Sequence, residues 1–139
     1  MLLTLDSSIF VSAIREPEES HQNCKKLLAM LAEGKHEAIE PFTVLIEVAS
    51  AIKRRTGLTN LAKEVKTSLL AIDTITFEEL VRSRADEAAN LAINTGLRGM
   101  DAIIVQTAIE NQAYLVSLDS EMLELVKGKV KIKRVSEIL

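Results

Sequence analysis

Tryptophan is missing from this sequence, and one Tyr and three Phe are all the aromatics it has. Base stacking on aromatic rings therefore cannot be the main mode of any nucleic-acid binding. The single cysteine, Cys24, excludes an internal disulfide and suits a reducing compartment. A basic excess is lacking too: the net charge is −3, which argues against a dedicated, sequence-independent DNA-binding module. That balance still leaves room for an enzyme that handles phosphates through bound metal. Long apolar runs are absent. The opening MLLTLDSSIF has no basic segment and is interrupted by Asp6, so it is neither a signal peptide nor a membrane span, and no later stretch reaches transmembrane length without charges. The expectation is a soluble cytoplasmic protein that does not engage membranes. What is present is enough apolar material, 47% of 139 residues, to bury a full core. No internal repeat, low-complexity tract or linker divides the chain, which predicts a single domain over 1–139.

Short β-type runs alternate with longer helical patterns. LLTL (2–5) reads as a buried strand that runs on into a helix at SIFVSAI. Pro17 suits the first turn of a second helix, which continues through Ala32 to a stop at Gly34. EAIE (37–40) is a second strand stopped by Pro41. A helix from Phe42 to Arg55 follows, closed by Gly57, and then an amphipathic helix over 58–71. TITF (74–77) gives a third strand, with a helix from about Glu78 to Asn94 ended by Gly96. A helix from Met100 to Asn111, a fourth strand AYLVSL (113–118), a short helix SEMLELV and an edge strand KVKIKRV complete the pattern. Strands alternating with helices predict an α/β fold, a three-layer α/β/α sandwich around a mainly parallel sheet of four to five strands. Functional residues in such sheets collect outside the carboxyl ends of the strands.

Four carboxylates fit that location. In GLRGMDAIIVQTAIENQ, helical spacing puts Asp101 in line with Val105, Ala108 and Gln112, so a charge points along an apolar stripe. An N-terminal cap would satisfy that charge, aided by Gly99 and the helix dipole, without explaining its direction. A buried carboxylate without a partner is expensive, so something must compensate it. Asp6 leaves the end of LLTL, and Asp119 stands in the same relation to YLVSL. Each also fits a helix N-cap. Glu47 borders the arc of Val44, Val48, Ala51 and Ile52, and it belongs to no capping box, because the acid that Thr43 would require falls at Ile46. It reads equally as a boundary residue reaching into solvent. Like charges gathered at one sheet end destabilise the fold unless a cation sits among them. Oxygen-only ligands favour Mg²⁺ or Mn²⁺, which activate water and support in-line displacement at phosphorus. No covalent nucleophile stands in a recognisable setting.

On these segments the sequence resembles the PIN-domain ribonucleases, in their VapC-type toxin branch. LDSSIFVSA resembles the family's opening strand and helix, PFTVLIEVASA its second acidic motif, GLRGMDAIIVQTA the third and AYLVSLDSEM the closing one. By that resemblance Asp6, Glu47, Asp101 and Asp119 fall on the family's acidic positions as the catalytic set, with Asp6, Asp101 and Asp119 as metal ligands. Ser117 falls where the family has Thr or Ser, and Ser8 where it carries a small polar residue beside the first Asp. The resemblance implies Mg²⁺- or Mn²⁺-dependent hydrolysis of single-stranded RNA with water as nucleophile. It also implies a homodimer and an antitoxin protein that blocks the site. Glu121 is not counted, because members that carry a further acid in this region place it differently.

Other readings fit less well. A dehalogenase-like phosphatase wants a second Asp two residues after the first, where this chain has Ser8, and a receiver wants an acidic pair where Leu5 precedes Asp6. A catalytically silent module that kept the fold and binds RNA or protein is the alternative from another class. His21 and Cys24 lie one helical turn apart, but with one Cys and two His the chain lacks further soft ligands, so Cys24 reads as core. Lys53, Arg54 and Arg55 complement a helix dipole or touch phosphate, and Arg98, close in sequence to Asp101, reads as a solvated loop charge or as a contact to substrate. The lysines of KVKIKR suit a guarded sheet edge. The helix over 58–71 serves an interface or ordinary packing.

Overall fold

Leu2–Leu5 forms β1, and its Leu3, Thr4 and Leu5 are buried without residue to spare, as the uninterrupted apolar run requires of a strand covered on both faces. The structure, a computed structural model, describes residues 1–15, 17 and 19–139. α1 (Ser7–Ile14) and α2 (His21–Ala32) lead to β2 (Glu37–Pro41). α3 (Phe42–Thr56) and α4 (Thr59–Ala71) lead to β3 (Ile75–Glu78), and α5 (Arg82–Thr95) and α6 (Gly99–Glu110) lead to β4 (Tyr114–Val116). α7 (Ser120–Leu125) and α8 (Val135–Ile138) end the chain. Among the described residues, no helix is long and apolar enough to cross a membrane.

The four strands are parallel, in the order β3-β2-β1-β4. Right-handed crossovers from β1 to β2 to β3 put α1–α4 on one face, and the reversed step from β3 across to β4 puts α5 and α6 on the other. The packing agrees: α1 meets α2 and α3, α3 meets α4, and α5 meets α6. The expected α/β/α sandwich is therefore formed, and the strand order reverses between β1 and β4. Ligands of open parallel sheets lie outside the carboxyl ends at such a reversal.

β1 and β2 pair in register only at Leu2–Glu37 and Leu3–Ala38. Beyond that point side chains replace the ladder: the Thr4 hydroxyl donates to the Ile39 carbonyl at 2.8 Å, and the Leu5 N–H donates to Glu40 Oε1. The strands part toward their carboxyl ends, and Pro41, which has no N–H to give, pairs only with Glu78 of β3. α6 shows why Asp101 read as facing a core. Ala102, Ile104, Val105, Gln106, Thr107 and Ala108 are all buried, so the helix has almost no solvent face beyond its first turn.

Several expectations need correction. The helix expected at Glu78 starts at Arg82, because Glu78 still pairs in β3 opposite Pro41 and its carboxylate is held by Asn111 Nδ2 at 2.6 Å and the Arg84 guanidinium at 2.7 Å. Pro17 stands in a turn and α2 begins at His21; Glu18, within the expected helix, lies outside the described residues. The edge strand KVKIKRV does not form. It makes one isolated bridge to β4, where the Leu115 N–H donates to the Lys131 carbonyl at 2.8 Å and the Lys133 N–H to the Leu115 carbonyl at 3.1 Å. A partner strand of three residues has too little backbone to template more. Cys24 is fully buried in the core, and His21 Nδ1 lies 2.8 Å from the Ser12 carbonyl.

Candidate active site

Asp6 is the residue at which β1 ends, and its N–H still donates to the Val116 carbonyl of β4 at 2.9 Å. The carboxylate is thereby fixed at the reversal point, and Asp6 is only 6% exposed. Two hydroxyls hold it: Ser8 Oγ donates to Oδ2 at 2.8 Å and Ser117 Oγ donates to the same oxygen at 2.9 Å. Both hydroxyls serve twice, since Ser8 Oγ accepts the Leu118 N–H and Ser117 Oγ accepts the Asp119 N–H at 3.0 Å. Ser8 and Ser117 thus tie the start of α1 to the loop after β4 through a single carboxylate.

Asp119 caps α7, with Oδ1 accepting the Met122 N–H at 3.1 Å. The N-cap reading is correct there, and it occupies one oxygen. Asp101 makes no capping hydrogen bond; Arg98 holds the N-cap position of α6 and Asp101 lies within the first turn. Glu47 projects from α3 with Oε1 buried and lacking any hydrogen-bond partner among the described residues. The four acids, from β1, α3, α6 and the loop before α7, line one open cleft of about 1150 Å³. Arg54, Arg55 and Arg98 line it too. The sequence leaves two readings open for each of those arginines, because a helix-end or loop position alone does not reveal which way the side chain turns. Lys53, by contrast, caps its own helix by donating to the Gly57 carbonyl at 3.0 Å.

The electrostatics record mutual repulsion. Glu47 is pushed up to about 7, by burial first and then by the charges of Asp6 and Asp101. Asp101 is also raised, by burial and then by Asp6 and Asp119, with Arg98 opposing the shift. Sequence reasoning missed a fifth acid. Glu40 in β2 is fully buried, with Oε2 unpartnered and its carboxyl held well above the ordinary range by burial. The available signal was its period-two relation to the buried Ala38.

A proton is bound more tightly by Glu47 in the folded protein than in the unfolded chain, so stability is greatest below its ordinary value of 4.5 and falls as pH rises to about 7. We expect metal-free protein to lose stability across that window, with Glu40 extending the fall upward. Glu47→Gln should remove the lower part of the slope. The full shift is worth about 3 kcal/mol, which solvent screening of a half-buried group reduces to about 1 kcal/mol. Urea unfolding at several pH values in EDTA measures it, and an unchanged slope in the variant would contradict the assignment.

The residues present fit a hard divalent cation. All donors are carboxylate and hydroxyl oxygens, two acids are destabilised by their neighbours' charge, and one buried oxygen lacks a partner. Among the described residues, no group of three or more His, Cys, Asp or Glu side chains stands close enough together to hold a metal ion by itself. Mg²⁺ takes few protein ligands and completes its shell with waters and substrate oxygens.

A parallel sheet with acids gathered at its reversal point defines the class of the molecule: an α/β sandwich with an acidic, cation-suited cleft. The family profile of the PIN domain matches residues 3–128, and the chain belongs to that family. No curated protein matches the sequence at a significant level. Among solved structures, the Mycobacterium tuberculosis toxin VapC20, described as cleaving the sarcin-ricin loop, superposes with a TM-score of 0.75 at 15% identity, covering 96% of this chain and 99% of that one. VapBC2 from Rickettsia felis, bound to a DNA fragment from its promoter, gives 0.69 at 18% identity, covering 96% and 98%. A toxin–antitoxin complex from Klebsiella pneumoniae gives 0.65 at 16% identity, covering 97% of this chain and 98% of that one.

Proposed function

We propose that this chain is a ribonuclease that hydrolyses phosphodiester bonds of single-stranded RNA, with Mg²⁺ or Mn²⁺ held by Asp6, Asp101 and Asp119. The observation that carries the reading is the convergence of four acids from four separate elements on one cleft, at a cost in repulsion that packing alone does not explain. A bound divalent cation supplies positive charge that offsets this repulsion, polarises a phosphoryl oxygen and makes water acidic enough to attack near neutral pH. The chain's own residues do the rest. Ser8 and Ser117 lock the Asp6 carboxylate in one rotamer by binding Oδ2. Asp119 is held by its cap bond to Met122. Glu47, whose carboxyl lines the cleft, takes the proton of the attacking water. Arg54 and Arg98 face the phosphate backbone from the cleft wall.

The family resemblance and the toxin–antitoxin complexes among similar structures support extending the proposal. The enzyme is a toxin, acts in the cytoplasm as a homodimer of a single domain, and is blocked at the cleft by a cognate antitoxin protein. Incubation with heteropolymeric RNA, followed by mapping of the new ends, tests the activity. Cleavage is expected with Mg²⁺ or Mn²⁺ and none with EDTA. Tight metal binding without cleavage of any RNA, including total cellular RNA, would favour a silent binding module instead.

A further inference from the structure

Continued past the pairing of Leu3 with Ala38, a parallel ladder would set Leu5 opposite Glu40 and send the Leu5 N–H to the Ile39 carbonyl. The register stops short of that bond. The Ile39 carbonyl accepts the Thr4 hydroxyl at 2.8 Å instead, and the Leu5 N–H donates to Glu40 Oε1. The Glu40 carboxyl therefore stands between the ends of β1 and β2, where a ladder bond would otherwise close them. On the opposite side, the Asp6 N–H donates to the Val116 carbonyl at 2.9 Å, and Asp6 Oδ2 accepts the Ser117 hydroxyl at 2.9 Å. Consecutive N–H groups are thus held from two directions, Leu5 from β2 and Asp6 from β4.

An acid is an unfavourable choice for this place if packing is all it serves. Glu40 is fully buried, and its Oε2 has no hydrogen-bond partner among the described residues. Charged or neutral, the carboxyl leaves a buried polar atom unsatisfied. An apolar side chain would avoid that penalty and let the Leu5 N–H close on Ile39. Closure would draw the end of β1 toward β2, and Asp6 with it, away from the β4 side that carries Ser117 and Asp119. Glu40 is not among the residues that line the cleft, so any effect it has there passes through Asp6.

We propose that Glu40 is a positioning residue: by accepting the Leu5 N–H it keeps the ends of β1 and β2 apart and seats the Asp6 carboxylate beside Ser117. What that placement serves rests on the metal-dependent ribonuclease reading. The test compares Glu40→Gln, which keeps an oxygen for the Leu5 N–H, with Glu40→Leu, which does not. In EDTA, hydrogen exchange of the Asp6 amide reports on its bond to Val116, and its ratio to exchange of the Val105 amide in the core of α6 removes any change in overall stability. That ratio should match wild type in Glu40→Gln and rise in Glu40→Leu. The Kd for Mn²⁺, read from its effect on the unfolding temperature, should rise about 10-fold in Glu40→Leu, as for groups that orient a metal ligand, and stay near wild type in Glu40→Gln. Wild-type behaviour of both variants would overturn the proposal. Equal losses in both would overturn it too, since the charge and not the accepted N–H would then matter. Faster Asp6 exchange with an unchanged Mn²⁺ affinity would reduce Glu40 to a packing role and overturn it as well. A wild type that ignores Mn²⁺ would instead count against the cleft as a metal site, and the exchange ratio would still decide whether Glu40 seats Asp6.

Discussion

Asp101→Asn is expected to reverse the order of stabilities between metal-free and metal-loaded protein. Without metal the variant should unfold at a higher temperature than wild type, because it removes one of the charges that raise Glu47 and no longer buries a charge of its own. With Mn²⁺ at a hundredfold excess over its dissociation constant, wild type should gain about 2.7 kcal/mol. For a chain of this length that corresponds to about 10 °C. The variant should gain little, so the two melting curves exchange places on titration. A substitution that merely damaged packing would lower the unfolding temperature under both conditions. If saturating Mn²⁺ moves neither protein, the cleft does not hold a cation and the nuclease reading loses its foundation.

The second large effect is on cleavage. Asp6→Asn and Asp119→Asn should each lower the rate of RNA cleavage by more than about 100-fold, since groups that only orient a metal ligand already cost roughly 10–100-fold. Ser117→Ala, which frees Asp6 Oδ2 from one of its two hydroxyls, should fall inside that smaller range. The acids and the hydroxyl are thereby ranked in advance, and the loss should appear in kcat with little change in KM. Full activity in Asp6→Asn, with its fold intact, would show that catalysis happens elsewhere on the molecule.

Asp6 and Asp119 were legible because a buried strand followed at once by an acid leaves few places for that acid to go. Asp101 was legible for a related reason: its helix is apolar nearly all round, so a charge in the first turn stands out. Glu47 was ambiguous, and the reason is tertiary. Its helix is amphipathic and it lies at the boundary of the buried arc, so only the positions of β1 and α6 decide whether that boundary meets water or other acids. Glu40 went unread because EAIE, with an acid at each end of two apolar residues, looks half-exposed, whereas β2 is flanked by strands on both sides. The Lys/Val/Ile alternation over 129–133 suggested a fifth strand, but a ladder needs a partner as long as itself, and β4 supplies only three residues. Local pattern located the carboxylates; it did not locate the surfaces that close around them.

The pairing of β1 with β4 joins the beginning of the chain to nearly its end, and the hydroxyl of Ser117 reaches Asp6 across 111 positions of sequence. No N-terminal fragment that ends before β4 contains the assembled cleft, however well its helices form. During synthesis the chain carries its acids apart until the last strand leaves the ribosome and inserts beside the first. Such a distant closure is slow to nucleate compared with helix-to-helix contacts. A chain cut before β4 carries Asp6, Glu47 and Asp101 without the strand and the hydroxyl that complete the cleft.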